Sequence, residues 1–409
     1  MKIAVLRETF PGERRVALVP AVVPQIQKLG TDTQPVEILV ETGAGEAAGF
    51  TDDMYRERGV EVWDDRKSLL EKADVLLQVR TLGANQEAGR SDLDSFKRDQ
   101  VLIGTADPLG AAGSIKELAE KNVTLFALEL IPRITRAQSM DVLSSMATIA
   151  GYKAVIVAAN HLPKLFPMLM TAAGTLTPAK VFVLGAGVAG LQAIATAKRL
   201  GAVAQAYDVR PVVKEQIESL GAKFVELNLD TGDTEDKGGY AKALTEEQQV
   251  KQREQLADIA AECDVCITTA AIPGRPSPLL ITEDAVQRMA PGSVIVDLAA
   301  ERGGNCELTE ADQTVVKHGV TICGPTNLPS DAPQHASQMY AKNVATLLAL
   351  LIKEGQLDID LKDEVIRDTL AAKDGQVQND RLRDMLGMEP LTKPAAEAPA
   401  EHIASGSNQ

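Results

Sequence analysis

Short apolar runs at positions 3–6, 36–41, 75–79, 101–105 and 123–128 alternate with stretches at helical spacing such as 22–29 and 115–121. Runs of that length, separated by helical stretches, predict strands of a largely parallel sheet covered by helices. Residues 139–165 then carry Val142, Met146, Ile149 and Val155 at helical spacing, with no proline before Pro163. That pattern predicts a long helix joining two domains. A second series opens at Lys180, with strands expected at 181–184, 204–207, 224–227, 265–269, 294–297 and 320–323. Six such strands suit a doubly wound dinucleotide fold. Residues 337–352 read as another long helix, returning the chain to the first domain. The expected architecture is therefore α/β, with two Rossmann-like doubly wound domains joined by long helices. The N-terminal domain is discontinuous, residues 1–143 plus 331–385, and the second domain spans 144–330. The tail 390–409, rich in Ala, Pro, Glu and Ser, buries too little apolar surface to offset its ordering entropy and is expected to be disordered.

Composition removes several function classes. The 57 acidic side chains outnumber 42 basic ones, for a net charge of −15, which disfavours nucleic acid as a partner. Residues 1–8 read as a strand, not as a secretion signal. The longest apolar runs, such as 344–352, are roughly half the length of about 20 residues that a membrane span needs, so no direct membrane insertion is expected. Cys263 and Cys266 form a CxxC, but residues three apart on a strand point to opposite faces, so structural thiols in a reducing cytoplasm are expected. His161, His318, His335 and His402 are scattered without ligand spacing, and no metal is expected.

The chemistry concentrates after the strand at 181–184. Gly185, Gly187 and Gly190 form a GxGxxG between that strand and a helix, the context in which the motif signals dinucleotide binding. Gly185 permits the tight turn, Gly187 lets the backbone approach a pyrophosphate, and Gly190 allows helix and strand to pack closely. The phosphates then sit at a helix N-terminus beside Val188, where unpaired N–H groups favour anions. Asp208 ends the next strand, where a carboxylate binds ribose hydroxyls and repels a 2′-phosphate, which points to NAD over NADP despite the nearby Arg210. Residues 231–240, ending at Tyr240, form part of a long glycine-rich and charged link. A mobile lid and a plain solvated insertion both fit it.

The segment PRITRAQSMDVLSS at 132–145 resembles the Arg, Gln, Asp loop of proton-translocating NAD(P) transhydrogenases. The likeness continues through Ala150 to Tyr152, the glycine turn, GGYAK at 238–242, TTAAIPGRPSP at 268–278 and GSVIVDLAAERGGNCE at 292–307. It covers nearly everything from Met1 to about Ile352, and resembles the extramembranous NAD(H)-binding component. The resemblance implies that Arg133, Gln138, Asp141 and Ser144 surround the nicotinamide, with Gln138 reaching toward a second nucleotide. It also implies Asp208 on the adenosine ribose, Tyr240 on a closing loop, and a homodimer. A partner beta subunit would hold NADP(H), and hydride would pass directly and reversibly between the two nicotinamides. Membrane-spanning subunits would couple the transfer to proton translocation, leaving this chain cytoplasmic and peripheral on the membrane through its partners.

Direct transfer between nicotinamides needs positioning and no general acid or base, in keeping with the absence of an evident acid/base constellation. The chain also resembles alanine dehydrogenases, including Glu13-Arg14-Arg15-Val16-Ala17, where Arg15 matches the arginine used for the substrate carboxylate. The catalytic lysine of that family aligns approximately with Arg80 and its histidine with about Asp107, so its acid/base groups are missing. Arg15 is then read as a retained structural residue. A non-enzymatic NAD(H) sensor is a further alternative, against which the convergent polar cluster from Arg133 to Ser144 counts.

Overall fold

The structure, a computed structural model, describes residues 1–228, 245–272 and 274–391. The expectations for residues 231–240 with Tyr240, and for nearly all of the tail, lie outside these residues. Among the described residues, two large sheets with helices on both faces make an α/β fold. The first sheet runs Glu61–Trp63, Glu37–Glu41, Lys2–Val5, Val75–Arg80, Val101–Thr105, Thr124–Ala127, all parallel. By chain order that is third, second, first, fourth, fifth, sixth, the doubly wound pattern with its switch point beside the first strand. Leu370–Lys373 and Gln376–Val377, from near the other end of the chain, extend this sheet with antiparallel pairings.

The second sheet repeats the order with Lys223–Phe224, Val203–Tyr207, Lys180–Leu184, Val265–Thr268, Val294–Asp297 and Val320–Cys323. An antiparallel edge strand, Thr314–Lys317, completes it. Side-chain alternation along the central strands feeds a core on each face. Ile3 and Val5 enter one core with Tyr340 and Val344, while Ala4 and Leu6 enter the other. Val181 and Val183 part from Phe182 and Leu184 in the same way. Continuous apolar runs are what strands buried on both faces require.

The long helices differ from the sequence reading mainly at their ends. The first is Val142–His161, because Asp141 stops it as an N-cap, accepting the Ser144 N–H at 2.9 Å. The second, Pro333–Leu351, begins earlier than expected, since proline is tolerated in the first helical turn. The strand expected at 224–227 pairs only through Lys223–Phe224. Val225 N still bonds to Ala206 O, but Asn228 N then bonds to Gln255 Oε1 in the helix Glu246–Ala261, drawing the chain off the sheet edge.

The apolar-run reading also overlooked Val142–His161, which is long and apolar enough to cross a membrane, with mean hydropathy 1.6, although Ser144, Ser145 and Lys153 interrupt its runs. In the fold it packs against Val188–Arg199 and Pro333–Leu351, burying Gly151, Ala154, Val155 and Ala158. A Cβ on Gly151 would stand 2.1 Å from the Ala189 carbonyl oxygen, so glycine permits this helix to press onto the helix that follows the glycine turn.

Candidate functional site

The three glycines of the turn answer to different constraints. Gly185 has φ +99°, and a Cβ there would lie 2.6 Å from Thr269 Oγ1, whose hydroxyl donates to the Gly185 carbonyl at 3.1 Å. At Gly190 a Cβ would meet the Gly185 carbonyl oxygen at 1.8 Å. Gly187 is different: no described residue lies within 4 Å of its would-be Cβ, and its φ of −74° suits any residue. The described residues do not require glycine at that position, whereas a ligand approaching the backbone would. Gly187 is also the N-cap of Val188–Arg199 and supplies no side-chain cap, leaving first-turn N–H groups for an anion.

This turn opens onto a cavity of about 540 Å³ between the two sheets, within the roughly 300–1,000 Å³ range of small-ligand sites. Gly185, Gly187, Val188 and Asp208 line one side. Asp208 is largely buried, and its Oδ2 accepts the Ala186 N–H at 2.8 Å, tying the carboxylate to the glycine turn. Arg210, weighed in the sequence as a partner for a 2′-phosphate, instead turns onto Asp208, with Nε and Nη2 each 2.9 Å from its carboxylate.

Arg133, Leu143, Ser144 and Ala147 form the facing wall. Helical spacing puts Ser144, Ala147 and Gly151 on one face, so the crossing at Gly151 also turns Ser144 toward the turn. The Ser144 hydroxyl donates to Asp141 Oδ2 at 2.6 Å. Asp141 and Gln138 are not among the lining residues; Gln138 is exposed in the short 3-10 helix Thr135–Met140 leading to Asp141. Among the cavity residues to which sequence reasoning gave no individual role are Glu129, Thr269 and Arg302. Glu129 accepts the N–H groups of Ala106 and Asp107, and burial pushes its carboxyl up to about 7. Arg302 lies within the segment 292–307 that carries the resemblance, but nothing local marks its pairing with Asp107, 195 residues away in the chain.

The counterpart of this crevice in the first sheet is packed with the chain's own charges. Glu8 accepts Val79 N at 2.6 Å and Arg80 N at 3.1 Å, and burial pushes its carboxyl up to about 8. Glu13 takes Arg15 through Nε at 2.7 Å and Nη2 at 2.6 Å, together with Ser330 Oγ at 2.6 Å. Desolvation opposes ionisation of Glu13, but these hydrogen bonds and the Arg15 charge hold its carboxyl well below the usual range. Arg80 reaches the same carboxylate at 3.1 Å, and its guanidinium lies 4.3 Å from the Phe10 ring centroid.

The four cysteines are buried thiols, and burial pushes Cys263 and Cys306 up to about 11, out of the range of a ready nucleophile.

Residues 4–150 match the family described as alanine dehydrogenase/PNT, N-terminal domain, and residues 154–380 match its C-terminal domain. The first of the parts into which the NAD(P) transhydrogenase subunit alpha of Rhodospirillum rubrum is divided is 46% identical over 93% of this chain and 99% of its own length. The NAD(P) transhydrogenase subunit alpha of Cereibacter sphaeroides is 47% identical over 92% of this chain and 71% of its own. A crystal structure of transhydrogenase from Sinorhizobium meliloti superposes with TM-score 0.79 at 40% identity, covering 93% of this chain and all of that one.

Proposed function

Because the chain belongs to the alanine dehydrogenase/PNT family, alongside the NAD(P) transhydrogenase alpha subunits, we propose that it binds NAD(H) and passes hydride directly and reversibly to NADP(H) held by a partner subunit. The observation carrying this reading is Gly187, a glycine whose would-be Cβ no described residue approaches within 4 Å, at a helix N-terminus with no side-chain cap. Bound NADH supplies a hydride and NADP+ accepts it, so the exchange balances with no proton to place. The chain then has to bind, orient and exclude water.

In this proposal the glycine turn and Val188 hold the pyrophosphate, and Asp208 holds the adenosine ribose once Arg210 moves off its carboxylate. Arg133, Asp141, Ser144 and Gln138 serve the nicotinamide end. Exposed Gln138 is suited to a second nucleotide, and Tyr240 belongs to the link that closes on the first. Leu143, Val188 and Leu279 leave an exposed apolar rim at the cavity, which a seated partner domain would cover. Membrane-spanning partners would couple transfer to proton movement and hold the chain peripherally at the cytoplasmic face. The domain division at 143/144 and 330/331 belongs to the same proposal. So does a homodimer, supported by the hairpin Leu169–Thr171 and Gly174–Leu176, which exposes Met170 and Leu176 and forms a sheet of two strands only among the described residues.

The amino-acid dehydrogenase alternative is less well supported. Arg80 is committed to Glu13 and Phe10, Asp107 to Arg302, and Arg15 is buried against Glu13. Arginine does not readily exchange a proton. Mixing the chain with a transhydrogenase NADP(H)-binding domain should give NADH-dependent reduction of an NADP+ analogue. Absence of transfer with a competent partner, or pyruvate- and ammonia-dependent NADH oxidation by the chain alone, would reject the proposal.

A further inference from the structure

Two charged side chains meet across the cleft that holds the cavity. Arg302, in the turn after Val294–Asp297, donates through Nη2 to Asp107 Oδ1, in the turn after Val101–Thr105. Both residues line the cavity, from opposite sheets. A partly exposed ion pair is ordinarily worth about 0–1 kcal/mol, because two flexible side chains must be ordered to form it. Here each partner stands on a braced loop.

Asp107 has φ +42°, a left-handed conformation that Asp and Asn tolerate better than other side-chain-bearing residues. The Glu129 carboxylate fixes that turn by accepting the N–H groups of Ala106 at 2.9 Å and Asp107 at 2.8 Å. Gly110 leaves room for the pair: a Cβ there would stand 2.3 Å from Asp107 Oδ2 and 2.7 Å from Arg302 Nη1.

On the other wall, buried Asp297 accepts the N–H groups of Ala299 at 3.0 Å, Asn305 at 2.7 Å and Cys306 at 3.0 Å. Asn305 is fully buried and holds Ala270 from both sides, accepting its N–H at 3.0 Å and donating to its carbonyl at 2.8 Å. It also donates to the Pro278 carbonyl at 2.8 Å, so one side chain holds two cavity-lining residues, Ala270 and Pro278. Gly274, also at the cavity, lies against the first sheet's loop, where an added Cβ would stand 2.8 Å from Leu109 Cβ.

We propose that the Asp107–Arg302 pair is a clasp that fixes the spacing of the two cleft walls, making both residues positioning residues for a nicotinamide dinucleotide bound between them. The inference rests on the NAD(H)-binding reading above. AMP, which needs only the glycine turn and Asp208, should be indifferent to the clasp, whereas NADH should feel it.

The test compares Asp107→Asn, Arg302→Gln and the double variant by fluorescence titration with NADH and calorimetric titration with AMP. Asparagine keeps the left-handed turn and removes only the charge. Each single variant should weaken NADH about fivefold, with the double no worse than the weaker single, and the salt dependence seen in the parent chain should flatten. AMP affinity and Tm should stay unchanged. Additive losses, equal losses for AMP and NADH, or unchanged NADH affinity would overturn the clasp. A parent chain that binds no NADH would overturn the underlying reading and the clasp with it, whereas normal parent binding with unaltered variants overturns the clasp alone.

Discussion

The crevices above the two sheets share one strand order and differ in what fills them. Above the first sheet the space beside Lys2–Val5 is taken by Glu8, Glu13, Arg15 and Arg80, bonded to one another and to the ends of neighbouring strands. Above the second, the equivalent space beside Lys180–Leu184 is a cavity of about 540 Å³ edged by a glycine turn. Doubly wound topology supplies a crevice at its switch point wherever it occurs. Whether a ligand or the chain's own side chains occupy it depends on a few residues after the first strand, so the fold alone does not assign the function.

The largest expected effect comes from breaking the packed crevice. Glu13 and Arg15 side chains are 0% and 6% exposed, so Arg15→Ala leaves a buried carboxylate with its main partner gone. Urea unfolding should show a loss of about 3–5 kcal/mol, while the folded fraction binds NADH normally. A specific loss of NADH affinity without destabilisation would mean that the first crevice also serves the ligand.

A smaller change should follow pH. Burial raises the carboxyls of Glu8 to about 8 and Glu129 to about 7, so the folded chain retains protons there that the unfolded chain has released. Their contribution is fully present below the unfolded value of 4.5 and is lost as pH rises through about 7 to 8. Glu13, held low, acts in the opposite sense, its contribution being lost only as pH falls below 4.5. Unfolding free energy should therefore decline from pH 5.5 to 8.5, roughly the window between these values. A rise across that interval would contradict the desolvated state of Glu8 in the first crevice and of Glu129 at the cavity.

The finest contrast lies within the glycine turn. Gly187→Ala should leave Tm unchanged and weaken NADH about tenfold, since no described residue comes within 4 Å of a Cβ there and that space is left to a ligand. Gly190→Ala should lower both, because its Cβ would collide with the Gly185 carbonyl. Equal effects of the two substitutions on Tm would remove the argument that Gly187 faces a ligand. Asp208→Asn should weaken NADH and narrow its preference over NADPH; an unchanged ratio would reject the ribose assignment.

The sequence pattern made the open crevice more legible than the packed one. Strand runs, the glycine turn and Asp208 are local signals, each contained within a few residues of a strand end. The cluster from Arg133 to Ser144 was visible through resemblance, and the structure places Arg133 and Ser144 at the cavity with Asp141 behind Ser144. What escaped was long-range. Glu13 meets Ser330 across 317 positions, and Arg302 meets Asp107 across 195, pairings that no periodicity encodes. The two-residue strand Gln376–Val377 and the antiparallel edge Thr314–Lys317 were missed because edge strands need little apolar surface to announce them.

The most direct measurement of the central claim follows the hydrogen itself. NADH carrying deuterium at the transferred position of its nicotinamide is mixed with the chain, a transhydrogenase NADP(H)-binding domain and NADP+ in ordinary water, and the NADPH formed is analysed by mass spectrometry. Direct passage between nicotinamides predicts that the label is retained in NADPH. NADPH formed without the label would contradict the account, as would NADH left unoxidised beside a competent partner domain.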